Sequence, residues 1–144
     1  MNLGFYIDSL KENEDSKQLF EMLNTAVETT QIESGSIFYD NVDYHSTIPK
    51  FGIFNSTDLW FFTGKLVTTS WETYKTASNI INKFTSCFLY SGVSDVTVFA
   101  LNEIINSCKV IVTKEEDRQY VKRITGKDAV LVDGLTIDKL KEVL

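Results

Sequence analysis

Two stretches of this sequence spell the same joint, and together they constrain the fold more than any other feature. Residues 65–72 read Lys-Leu-Val-Thr-Thr-Ser-Trp-Glu, and residues 109–116 read Lys-Val-Ile-Val-Thr-Lys-Glu-Glu. Each is a short apolar strand that ends in hydroxyls and turns into a helix. Thr69 with Glu72, and Thr113 with Glu116, have the spacing of a capping box. In that device the Thr oxygen accepts the N3 amide and the Glu reaches back to the N-cap amide. After the first joint Trp71, Tyr74, Ala77, Ile81 and Phe84 recur at helical spacing, so a helix is expected over 70–84.

The same alternation extends through the chain. The apolar run 3–7 suits a central strand covered on both faces. A helix follows, its inner stripe made of Leu19, Phe20, Leu23, Ala26 and Val27. Further strands are expected at 36–39, 51–54, 66–68, 87–90, 110–112 and 129–132, with helices over 94–106, 114–125 and 137–144. The β-formers at 96–99 argue against an early start of the 94–106 helix. Gly126 stands where a C-cap glycine belongs, and Thr136 where the N-cap of the last helix belongs, with Asp138 in its first turn. Strands alternating with helices imply right-handed crossovers. The expected fold is therefore a single α/β domain over residues 1–144. Its core is a doubly wound, mostly parallel sheet of six to seven strands with helices on both faces, Rossmann-like in plan.

In such sheets ligands bind outside the carboxyl ends of the strands, near the point where the strand order reverses. That rule gathers one candidate face: Asp8-Ser9, residues 40–45, residues 55–58, residues 68–70, Ser91-Gly92, Thr113 and Asp133-Gly134. The irregular segment 40–64 is the expected carrier of function, because loops on a rigid scaffold usually are.

Composition removes several classes of function. With 20 acidic against 14 basic side chains the formal net charge is −6, which disfavours a broad nucleic-acid-binding or polybasic membrane surface. The first residues carry no basic leader, and no apolar run approaches the ~18 residues of a membrane span, so a cytoplasmic protein is expected. Cys87 and Cys108 lack metal or CxxC spacing and are expected as buried free thiols. No metal site and no cofactor is expected. The residues after strand one, Asp8-Ser-Leu-Lys-Glu-Asn, contain no glycine-rich pyrophosphate loop. No P-loop lysine follows a strand, and no Gly-x-Ser-x-Gly elbow occurs.

The remaining candidates are individual residues. His45 is the only histidine, and with Asp40 and Asp58 nearby it could be a base with orienting carboxylates, or a plain loop histidine. Ser9, Asn55, Thr69 and Ser70 lie where strand ends and a helix N-terminus would meet an anion. Glu72 counts against a phosphate there, and capping alone accounts for the hydroxyls. Trp60, Phe61 and Phe62 form either an exposed partner-binding ridge or a turn of core.

Residues 108–126, Cys-Lys-Val-Ile-Val-Thr-Lys-Glu-Glu-Asp-Arg-Gln-Tyr-Val-Lys-Arg-Ile-Thr-Gly, followed by Ala129-Val-Leu-Val-Asp-Gly134, resemble the close of the N-terminal Rossmann-like half of GT-B type glycosyltransferases. The resemblance covers about the last third of the chain. It implies a domain that acts on a nucleotide-sugar once a partner chain or dimer completes it. In that family the donor is held mainly by the C-terminal half, and the glycine-rich loop often present after strand one is missing here. The expectation drawn is a noncatalytic interaction module, a homo-oligomer or docked to a protein partner, with the glycosyltransferase-like enzyme as the alternative.

Overall fold

The computed structural model describes all residues except 82–83 and 93–95. Its strands are β1 (Asn2–Ser9), β2 (Ser34–Asn41), β3 (Gly52–Asn55), β4 (Gly64–Thr68), β5 (Phe84–Tyr90), β6 (Lys109–Val112) and β7 (Val130–Leu131). They form one sheet in the order β3-β2-β1-β4-β5-β6-β7, and every neighbouring pair is parallel. The helices are α1 (Glu14–Glu28), α2 (Trp71–Ser78), α3 (Val98–Ser107), α4 (Glu115–Thr125) and α5 (Ile137–Val143), with a 3-10 turn at Ser56–Phe61 between β3 and β4.

The period-2 alternation of the strands sorts the core into two layers. On one face Leu3, Phe5, Ile37, Val67, Cys87 and Ile111 pack against Phe20, Leu23 and Ala26 of α1 and Ile137 and Leu140 of α5. On the other, Phe88, Val110 and Val112 meet Tyr74, Leu101, Ile104 and Val121, while Tyr6, Phe38 and Leu66 meet Leu59 and Ala77. The sheet grows leftward from β1 to β3 and then rightward from β4 to β7. One crossover hand therefore requires the covering elements to change face at that reversal, as they do. The expected doubly wound plan is the observed one, and the switch point lies between β1 and β4.

Several local expectations are corrected. The N-cap of α2 is Ser70, not Thr69, and its box partner is Thr73, not Glu72: Ser70 Oγ accepts the Thr73 amide at 3.1 Å and Thr73 Oγ1 accepts the Ser70 amide at 3.0 Å. Thr69 is occupied elsewhere, its hydroxyl donating to the Tyr6 carbonyl at 2.9 Å. The helix stops at Ser78 rather than 84, in a run of hydroxyls and Asn79 that favours local side-chain hydrogen bonds over helix. Ile81 is consequently 94% exposed, and Phe84 opens β5. Thr113 is likewise not a cap, because α4 begins after Lys114, which has no side-chain cap bond. Its start instead carries Glu115, Glu116 and Asp117 against the helix dipole. Helix α3 is capped by Thr97; the expected start at Ser94 lies outside the described residues. Gly126 adopts φ +73° at the end of α4, and Thr136 caps α5 through the Lys139 amide, both as expected. Cys87 and Cys108 are free, and their side chains belong to opposite layers.

Candidate functional site

Parallel pairing of β1 with β2 sets Tyr6 opposite Phe38. Asp8 and Asp40 stand two residues further along each strand, so both point to the face that α2 and the 3-10 turn cover. Tyr6 is fully buried, and its hydroxyl donates to Asp40 Oδ1 at 2.7 Å. Burial, then the bond to the carboxylate, pushes the Tyr6 phenol up to about 12, although the Thr76 and Ser56 hydroxyls oppose the rise. Across the switch point Ser70 Oγ donates to Asp8 Oδ1 at 3.0 Å. Asp8 is held above the usual carboxylate range, first by burial and then by the charges of Glu72 and Asp40, while Ser70 pulls the other way. The strand ends thus gather three carboxylates, and the start of α2 that could attract an anion is flanked by Asp8 and Glu72.

Beside this cluster an open depression of about 300 Å³ runs between the 3-10 turn and α2. Ser56, Thr57 and Trp60 form one wall and Thr76, Asn79 and Ile80 the other. The turn is fixed from within. Leu59 is fully buried, and Phe62 lies edge-on to Phe38 at 5.1 Å and near Phe84 at 6.1 Å. The two residues between them face out, Trp60 at 55% exposure and Phe61 at 84%. Of the expected ridge, Trp60 and Phe61 are therefore surface and Phe62 is its support.

Asp40, His45 and Asp58 do not converge. His45 lies on the opposite side of the sheet from Asp40, stacked on Phe20 of α1 with ring centroids 3.9 Å apart. Its side chain is 5% exposed. The Thr47 amide donates to Nδ1 at 3.2 Å, which leaves the ring proton on Nε2, 3.3 Å from Ser16 Oγ. Both ring nitrogens are engaged within the loop, and Glu12 Oε1 is also 3.9 Å from Nδ1. Asp58 is exposed in the first turn of the 3-10 segment. Asn55 is that segment's N-cap, accepting the Thr57 amide at 3.1 Å. Ser9 Oγ accepts the Lys11 amide at 3.1 Å in the turn after β1. Thr69 and Ser70 do reach the switch point, as a strand tie and a helix cap.

Asp8 and Ser56 fall on the candidate face expected from the strand ends, whereas Tyr6 and Thr76 were not singled out by sequence reasoning. The available signal was the i, i+2 spacing of Tyr6 and Asp8, which becomes meaningful only with the register against Phe38 and Asp40. Among the described residues no group of three or more His, Cys, Asp or Glu side chains has metal-binding geometry. No helix among the described residues is long and apolar enough to cross a membrane.

Fold and site together define a Rossmann-like α/β protein with an acidic switch point. Beyond that class, no protein-family model, curated protein or solved structure matches the chain.

Proposed function

We propose that this domain is a noncatalytic interaction module that docks a protein partner on the 3-10 turn and the adjoining wall of α2. The observation that carries the reading is the split within one turn: Leu59 is fully buried while Trp60 and Phe61 face solvent. Large exposed aromatics on a rigid mount are the usual anchors of protein contacts. The carboxylates support the same reading. A nucleotide-sugar at the switch point would bring its diphosphate against Asp8, Asp40 and Glu72, with no glycine-rich loop to receive it.

A photo-reactive amino acid at Phe61 tests the module directly. It should form crosslinks in an extract of the source cells that Trp60→Ala abolishes, whereas the same probe at Lys122 on α4 should not. Equal labelling from both positions would overturn the reading. In parallel, thermal denaturation with UDP-, GDP- and CDP-sugars should show no shift. A ligand at 100 times its Kd would add about 2.7 kcal/mol, and that result would favour the glycosyltransferase-like enzyme.

A further inference from the structure

We infer that the cleft between the 3-10 turn and α2 takes an arginine-bearing peptide segment, its guanidinium on Asp40 and its aliphatic stem against Trp60. The inference rests on the interaction-module reading and names the chemistry of the partner. The β2–β3 register sets Tyr39 opposite Asn55, so Asp40 and Ser56 are the next residue of each segment; Ser56 lines one wall of the cleft and Thr76 the other, and Asp40 accepts the Tyr6 hydroxyl. Tyr6 holds Oδ1 of Asp40; Oδ2 has no hydrogen-bond partner among the described residues.

Charge selects the occupant. Asp8 feels the charges of both Glu72 and Asp40 at the strand ends, and Asp58 is exposed in the first turn of the 3-10 segment that forms one wall of the cleft. The ion pairs among the described residues lie elsewhere and involve none of these four. A cation from outside therefore completes the site, whereas an anion is repelled. Arginine fits better than lysine, because its planar fork can pair with a carboxylate and stack on the indole. A second copy of this chain is a poor source. Its two arginines are both on α4, Arg118 bonded to Glu115 and Arg123 over the Tyr120 ring.

The experiment uses the whole chain and two labelled peptides, acetyl-Leu-Arg-Ala-Leu-Arg-amide and its counterpart with citrulline at both arginines. Binding is read by fluorescence anisotropy at low and high salt, and the contact by the Trp60 indole resonance. The arginine peptide should bind saturably, shift that resonance and weaken with salt. Citrulline replacement, Asp40→Asn and Trp60→Ala should each weaken it about tenfold. Glu142→Gln on α5 should leave it unchanged. Circular dichroism reports folding; should Trp60→Ala not fold, Asp40→Asn with Glu72→Gln carries the test.

An equal loss with Glu142→Gln would reduce the effect to general attraction by an acidic surface and overturn the inference. Equal binding of the citrulline peptide would overturn the charge argument while leaving an apolar docking surface. Failure of both peptides would overturn the inference alone, since the Phe61 crosslink decides the module reading independently. Self-association that Trp60→Ala abolishes would assign the cleft to a second copy instead.

Discussion

At the carboxyl end of β2 the chain serves both faces of the sheet within a few residues, and the two surroundings differ in kind. On the α1 face the loop 42–51 is stapled along the helix. His45 stacks on Phe20 and Asn24 bonds residues 48 and 50, while Ser46 meets Glu12 and Lys50 meets Glu28. On the α2 face Asp40 is held on one oxygen by Tyr6, beside an open depression and two exposed aromatics. One side spends its polar groups on holding itself together; the other leaves them available. His45 is therefore accounted for by packing, whereas Asp40 keeps one carboxylate oxygen without a hydrogen-bond partner among the described residues.

That contrast can be broken most forcefully at Phe20, which is 1% exposed and carries both His45 and an edge contact to Phe51. Phe20→Ala should cost about 3–5 kcal/mol in urea unfolding. On the open face, Leu59→Ala should cost roughly 2–5 kcal/mol, while Phe61→Ser should stay within about 0.5 kcal/mol. Comparable losses for the two would mean that the turn is core throughout.

Alkaline titration sharpens the contrast further. An acid whose folded value lies above its unfolded value keeps its proton in the folded state, so the Tyr6 contribution is fully present below pH ~10 and is lost as pH rises toward ~12. The stability of the native protein should fall over that window by roughly 2 kcal/mol more than that of Tyr6→Phe, as read from paired denaturant curves. His45→Ala should cost about 1–2 kcal/mol at neutral pH through its lost stack and hydrogen bonds, without altering peptide binding. The smallest effect is expected at Asp8, whose ionised form the fold disfavours. Its contribution is present below the unfolded value and lost as pH rises through the folded one, so Asp8→Asn should match or exceed native stability at pH 7, by no more than about 0.5 kcal/mol.

The architecture was legible because strand and helix periods alternate cleanly and parallel crossovers have one hand. Residue-level joints were less so. Thr69 and Ser70 are equally good caps on paper, and the choice falls to Ser70 because the Thr69 hydroxyl is needed by the Tyr6 carbonyl, 63 positions away in sequence. Helical spacing from Trp71 to Phe84 looked continuous, yet the hydroxyl-rich turn at 76–79 ended the helix and gave Phe84 to a strand. The candidate site was legible in its parts, Asp40 and Trp60, but not in its assembly. Asp40 finds Tyr6 through strand register, and His45 is carried to the other face by its stack on a helix 25 residues upstream.

Thr69 and Ser70 both reach back to β1, and β1 itself is paired on one side with β2 and on the other with β4. The first of the seven strands in chain order is thus a middle strand of this sheet. Its second edge stays open until residues 64–68 have been made, which gives the nascent chain an interval in which a buried-type edge is unprotected. Pairing with β4 covers that edge, and the bond from Thr69 to the Tyr6 carbonyl extends the join one residue beyond the ladder, where the candidate site is assembled.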